Sequence, residues 1–333
     1  MRKILVGFAL ILVIASAAYL HFRRSKASLG YAYAGERQVT LYDGTAQVRS
    51  PVTTVSFGDR LEVLQRFEDH VEVRAASGIT GWTTEGELLS TDLWLQAKDL
   101  DESSAKMPVE ARGHTRVLAN LHIAPGRDTV RIRQLTKGVP VELLTRQVGA
   151  VPATPGASQT DEAAGAPPEA KKEDWWLVRA QEPDQTTLAG WVLGRFIELD
   201  VPQPLPDYAS SAALRIVAWF ELNRMKDSTG TTRSQYLLLG AHGPEGQPCD
   251  FTALRAFTWS NAHQRYETAF VESDVCGKLP VAFSRPAKPG GDLSFSFQNL
   301  GDPLPRLYVM KQTVIRRVRR EGEMRPKSRK ATH

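Results

Sequence analysis

The sequence predicts a mainly β chain: an N-terminal transmembrane or signal helix, two small β barrels in tandem, then an antiparallel β sandwich or meander. Three observations carry that expectation. A strand motif occurs twice between residues 58 and 191. One uncharged apolar run stands at the N-terminus. Beyond residue 207 the apolar residues alternate, and no segment of useful length has the 3.6-residue period of a helix.

The N-terminal segment, 1–26, is Met1-Arg-Lys followed by the apolar run Ile4–Leu20. Its length is at the lower limit for a bilayer span and slightly above a signal-peptide core. Two readings stand: an uncleaved anchor, or a signal peptide cut near Ala15-Ser-Ala17. No cysteine lies near it, which excludes a lipid-anchored lipoprotein. With no second apolar segment, everything beyond lies on one side. The expected location is the inner membrane, single pass, with the bulk in the periplasm or extracytoplasmic space; the alternative is export after cleavage. Basic residues flank the run on both sides, so flanking charge does not decide orientation.

Residues 27–35 read as a short tether and 36–97 as the first barrel. Its motif is Gly58-Asp-Arg-Leu-Glu-Val-Leu64, Val71-Glu-Val-Arg74, then Gly81-Trp82. Residues 98–113, charged and serine-containing, read as a linker. The second barrel, 114–200, repeats the motif as Gly138-Val-Pro-Val-Glu-Leu-Leu144, Trp175-Trp-Leu-Val-Arg179 and Gly190-Trp191. Gly58 and Gly138 stand where a turn hands over to a strand and supply the positive φ such turns often need. Leu61, Val63 and Val141, Leu143 alternate with Glu62 and Glu142, one face buried and one wet. Trp82 and Trp191 are expected core plugs, because a barrel of about 60 residues buries little apolar surface and one indole is a large share of it. Trp175 and Trp176 point to opposite faces of one strand. One of them is therefore expected to face outward or toward a neighbouring domain, and this is the leading contact candidate.

The second barrel carries an insertion, 149–174, rich in Ala, Pro, Gly and Glu, which reads as a disordered spacer. Residues 201–206 (Val-Pro-Gln-Pro-Leu-Pro) read as a stiff extended connector. The C-terminal β domain, 207–315, shows strand signals at 214–222, 235–240, 254–260, 265–273, 292–298 and 306–314. Trp219 and Trp259 are expected in its core. Residues 316–333 read as a basic disordered tail, which is either simply solvated or in contact with an anionic surface.

These motifs resemble the bacterial SH3 domains (SH3b), partly open β barrels found mostly in cell-envelope proteins. Leu121-His-Ile-Ala-Pro-Gly126 resembles the family's opening strand and turn, Lys137-Gly138 its Lys-Gly, Trp175–Arg179 its Trp-Tyr-x-Val-Arg strand, and Gly190-Trp-Val192 its Gly-Trp-Val. In the first copy Ala46–Ser50 stands for the opening strand. That copy departs where His70 replaces a usual Trp and Thr83 follows the Gly-Trp pair. The resemblance covers roughly residues 35–200. It implies an SH3-like fold and an envelope setting, and it makes His70, Trp175 and Trp176 candidate ligand-binding positions.

Charge excludes one class of partner. The chain carries +5. Residues 1–26 contribute +5 and 316–333 contribute +6, which leaves −6 on 27–315. A basic face on a folded domain, the footprint of nucleic-acid binding, is not indicated. Cys249 and Cys276, the two cysteines, are either a disulfide or unrelated thiols, and the export-like N-terminus favours the disulfide. A thiol nucleophile would need a helical setting and a nearby base, which Gln247–Phe251 lacks. The histidines, His21, His70, His114, His122, His242, His263 and His333, are too scattered for a metal site. Asp250, Glu267, Glu272 and Asp274 are carboxylates whose pairing the sequence leaves open. No cofactor motif occurs.

The expected function is a non-enzymatic, membrane-tethered envelope protein whose SH3b-like modules bind cell-wall peptide (peptidoglycan) or a protein partner. The alternatives are a cell-wall hydrolase with an unrecognised β catalytic domain, and a structural adaptor of an envelope assembly.

Overall fold

The computed structural model describes residues 27–151, 171–184, 186–285 and 292–319. The expected N-terminal helix, the centre of the insertion and the tail from 320 lie outside them. Among the described residues no helix is long and apolar enough to cross a membrane. The chain is mainly β, in three antiparallel seven-stranded sheets. It divides into two compact units, Met1–Lys98 and Asp99–His333.

The first unit holds β1 (Gly30–Ala34), β2 (Gln38–Tyr42), β3 (Pro51–Ser56), β4 (Arg60–Phe67), β5 (His70–Arg74), β6 (Thr80–Thr84) and β7 (Leu88–Ser90). Their order in the sheet is β3-β2-β6-β5-β4-β1-β7. The expected tether, 27–35, is therefore mostly strand: β1 pairs with both β4 and β7. The expected opening strand at 46–50 is a bend, and Gln38–Tyr42 takes its place. The alternation of β4 and β5 puts Leu61, Val63, Val71 and Val73 into one apolar cluster with Val39 and Leu41.

The second unit opens with β8 (Ala111–Thr115), β9 (Ala119–His122), β10 (Arg131–Leu135), β11 (Pro140–Ala150), β12 (Lys172–Gln181), β13 (Thr187–Leu193) and β14 (Ile197–Leu199). Their order, β10-β9-β13-β12-β11-β8-β14, repeats that of the first sheet strand for strand. The copies share finer features as well. Gly58 and Gly138 have φ of 81° and 86°. The β4–β5 register slips between Val63 and Gln65, and the β11–β12 register between Leu143 and Thr145. Each slip is a bulge that leaves one buried leucine, Leu64 or Leu144, without a cross-strand partner. The glycine before each tryptophan permits a close strand crossing. A Cβ on Gly81 would stand 2.8 Å from Leu41, and one on Gly190 2.4 Å from Leu121.

The expected linker, 98–113, is instead the end of helix α1 (Thr91–Ser104) and the start of β8. Ser90 Oγ caps the helix by accepting Leu93 N–H at 3.2 Å. Of the charged residues that suggested a linker, Lys98, Asp99 and Glu102 are exposed, while Asp101 accepts the Ala189 N–H at 2.5 Å. The first half of the helix belongs to the first unit, where Trp94 stacks on Tyr33 at 4.9 Å. In the second unit, Leu100 packs with Val109 and Phe196 over Leu144, Trp175, Leu177, Trp191 and Leu193.

The third sheet is a pure meander: β15 (Arg215–Lys226), β16 (Thr232–Ala241), β17 (Phe251–Ser260), β18 (Arg265–Ser284), β19 (Leu293–Asn299), β20 (Arg306–Lys311) and β21 (Val314–Val318), paired in chain order. Of the two expected forms, sandwich or meander, it is the meander. The expected extended connector yields at Leu205 to helix α2 (Leu205–Ser211), with Pro206 in the first turn, where a missing N–H costs nothing. Leu205 and Ala209, one turn apart, are buried against Leu238, Ala253 and Phe257. Strand β18 curls back, so Phe283 meets Phe220 of β15 at 4.9 Å and Arg285 donates to the Glu221 and Leu222 carbonyls. The start of the expected tail, from 316, is strand instead, because β21 carries Arg316 and Arg317 into the sheet.

Candidate ligand-binding cleft

Strand β12 is buried on both faces. Trp175 and Trp176 are 2% and 5% exposed. Trp175 packs with Trp191 and Leu193 beneath the end of α1, and its ring edge meets His122 at 5.2 Å. Trp176 points the other way, to a cleft of about 640 Å³ where the second sheet meets the third. Neither indole is exposed; of the two expected placements, outward or toward a neighbouring domain, Trp176 takes the second.

From the second sheet the cleft takes Trp176, Arg195 and the Ile197–Leu199 strand; Arg116 also lines it. From the third region it takes Pro206, Arg215–Val217 and Glu245. Its floor is fixed by Arg146, whose side chain is 1% exposed. Arg146 Nη2 donates to Asp174 Oδ1 at 2.5 Å and to the Gln247 carbonyl at 2.8 Å. Nη1 donates to Asp250 Oδ1 at 2.8 Å and to the Cys249 carbonyl at 3.2 Å. Burial alone would lower the Arg146 pKa, but the Asp174 and Asp250 carboxylates outweigh it and hold the guanidinium above its ordinary value. Lys278 Nζ and Leu279 N–H complete the shell of Asp250, and Gly246 N–H that of Asp174.

The cleft's rim is made of ions. Arg215 lies 3.2 Å from Asp174 Oδ2. Arg195 pairs with Glu173 at 2.8 Å, and Arg127 grips the same carboxylate through two hydrogen bonds. These contacts, led by the Arg127 hydrogen bond, hold Glu173 below the usual carboxylate range. Arg116 and Glu198 face each other loosely, at 3.9 Å.

Other expected positions fall elsewhere. His70 is half-buried at the start of β5 in the first unit, with Nδ1 2.6 Å from Asp69. Trp191 is buried, but Trp82 is only half-buried, a correction to its expected place as a core plug. Trp191 belongs to the buried cluster against which Leu100, Val109 and Phe196 pack. Trp219 and Trp259 are also half-buried rather than core. Trp219 Nε1–H donates to the Asp200 carbonyl at 2.7 Å, and Arg233 lies 4.0 Å above the Trp259 ring. Cys249 and Cys276 are joined in a disulfide, which closes the turn carrying Asp250. Of the carboxylates, Asp250 belongs to the Arg146 network, Glu267 pairs with His263, and Glu272 with Arg306. Among the described residues no group of three His, Cys, Asp or Glu side chains is placed to hold a metal ion.

Sequence reasoning missed Arg146, Asp174, Arg195 and Arg215. One signal was present. Asp174 directly precedes the Trp175–Trp176 pair, where a carboxylate among large apolar side chains calls for a partner, whereas Arg146 stands between Thr145 and Gln147 and is unmarked.

No protein-family model matches the sequence, and no curated protein matches it. Partial likeness to solved structures exists. Among the similar structures is an NlpC/P60 family protein from Bacillus cereus, 12% identical, with a TM-score of 0.22 over 55% of this chain and 62% of that one. Another is NlpC2 from Trichomonas vaginalis, 9% identical, with a TM-score of 0.18 over 75% of this chain and 97% of that one. The chain thus spans 62% of the length of the first. At these scores the likeness carries no conclusion about activity.

Proposed function

We propose that this chain is a cell-envelope binding protein, tethered by or exported through its N-terminal segment, in which SH3b-like modules and the C-terminal meander present a peptide-binding surface. The observation that carries the reading is the cleft floored by Trp176 and fixed by Arg146 between two sheets. A preformed concave site with an aromatic wall and a few fixed charges is the usual form of a ligand site. The strand-for-strand repetition of the first two sheets supports the tandem SH3b-like reading, and the disulfide supports an oxidising compartment.

Co-sedimentation with isolated peptidoglycan sacculi tests this. The chain from residue 27 is the right material, because the cleft needs the third sheet as well as the second. Retention that survives added salt is expected. Failure to pellet would remove the wall from the reading and leave a protein partner, the adaptor role.

A cell-wall hydrolase with an unrecognised β catalytic domain is the second reading. The same incubation decides it: soluble muropeptides in the supernatant would make the chain an enzyme. Cys249 and Cys276 are joined, so the chain offers no free thiol for such a reaction.

A further inference from the structure

We infer that the cleft recognises the free carboxylate of a short peptide through Arg195 and Arg215, an inference that deepens the peptide-binding reading and rests on it. The argument is one of charge balance. At the junction, three carboxylates, Glu173, Asp174 and Asp250, serve five cations: Arg127, Arg195, Arg146, Arg215 and Lys278. Two positive charges are left over among these groups, and one when Arg116, Glu198 and Glu245, which also line the cleft, are counted.

The surplus is not spread evenly. Arg146 is enclosed and takes its carboxylates at close range. Glu173 is already gripped by Arg127, and Asp174 by Arg146. Arg195 and Arg215 therefore share carboxylates that other guanidinium groups hold more tightly. Arg127 and Lys278 are as open, at 44% and 36% exposure, but of the five cations only Arg195 and Arg215, at 39% and 35%, line the cleft. A guanidinium with a committed partner on one side and a cavity on the other is suited to a planar oxyanion, which it engages through two parallel N–H groups.

The rim selects among anions. Glu198 and Glu245 also line the cleft, and their charges oppose a phosphate dianion more than a single carboxylate. The same two residues suit an ammonium or amide N–H elsewhere on the ligand. The wall of Val201, Ile216 and Trp176 suits aliphatic peptide carbons. A volume of about 640 Å³ holds a ligand of a few residues.

The test uses the full chain in detergent and a pool of N-acetylated tripeptides, offered as free acids and as C-terminal amides, with inorganic phosphate as competitor. Free acids should be retained roughly tenfold over amides, the value of a charge-assisted hydrogen bond. That preference should vanish in Arg195→Gln and persist in Arg224→Gln, an exposed arginine outside the cleft. Arg195→Gln leaves Glu173 paired with Arg127, so the fold should survive the change. Equal retention of acids and amides overturns the inference, as does a preference that Arg195→Gln leaves intact. Displacement by equimolar phosphate overturns it in favour of a general anion site. The sacculus experiment is judged separately. Acid preference without pelleting keeps this inference and sinks wall binding; pelleting without acid preference does the reverse.

Discussion

The Glu110 carboxyl is buried where the second sheet meets β18, and it accepts the Val281 N–H at 3.1 Å. Burial pushes its pKa up to about 7, against a smaller opposing effect of that hydrogen bond. The folded chain therefore keeps a proton that the unfolded chain releases near its ordinary value of 4.5. Between those two values the folded state binds more protons, so stability falls as pH rises, by something of the order of 3 kcal/mol in all. Glu110→Gln removes this dependence. The stability of the wild type relative to the variant should fall between pH 4.5 and about pH 7, measured by denaturant unfolding at each pH. Parallel curves would show that Glu110 does not titrate in this way. No motif or spacing marks Glu110 in the sequence; a carboxylate at a strand entrance is ordinarily solvated, and only the arrival of β18 takes its water away.

At the scale of elements, β6 and β13 carry the same Gly-Trp pair in sheets of the same topology, yet the two indoles are buried differently. Trp191 is buried in the cluster with Leu144, Trp175, Leu177 and Leu193, against which Leu100, Val109 and Phe196 pack. Trp82 remains half-buried. Trp191→Ala should therefore cost about 3–5 kcal/mol, and Trp82→Ala about half as much or less. Equilibrium denaturation of both variants checks this, and equal losses would contradict it. The glycines are the better-encoded half of the pair. Gly81 and Gly190 each pass directly over a leucine, so the need for a bare backbone is fixed within the sheet itself. Helix α1 shows the converse. Its charged sequence reads as a linker because its apolar stripe is narrow, and tertiary cover rather than a strong helical period makes it a helix.

For the second unit as a whole, Arg146 is the tie between the second and third sheets. Breaking a buried ion pair from one side leaves the partner charges without compensation, at about 3–5 kcal/mol. Arg146→Ala should lose that much and should split unfolding of the second unit into separate events for the two sheets. Hydrogen exchange would then show β15–β21 opening without β8–β14. One undivided transition of unchanged midpoint would show that the tie is not needed. The disulfide adds a different constraint. It closes a 27-residue separation around the turn that holds Asp250, which in the chain-entropy view stabilises the unit by roughly 3–4 kcal/mol. The cleft thus has two rigid walls, the property a preorganised binding site requires.

The sequence by itself determined what is written within a few neighbouring residues: period-two strands, the glycine turns at 58 and 138, the duplicated motif, and a β-rich C-terminal region. These are readable because a strand's period and a turn's φ depend on local geometry. The two cysteines and an export-like leader were enough to favour the disulfide. Only the tertiary structure decided which tryptophan is covered, that β1 is strand rather than tether, that Arg146 meets Asp250 across 104 positions, and that Arg195 and Arg215 share one cleft. Burial and charge balance belong to the surface a distant element brings, and no local pattern in the chain records which element arrives.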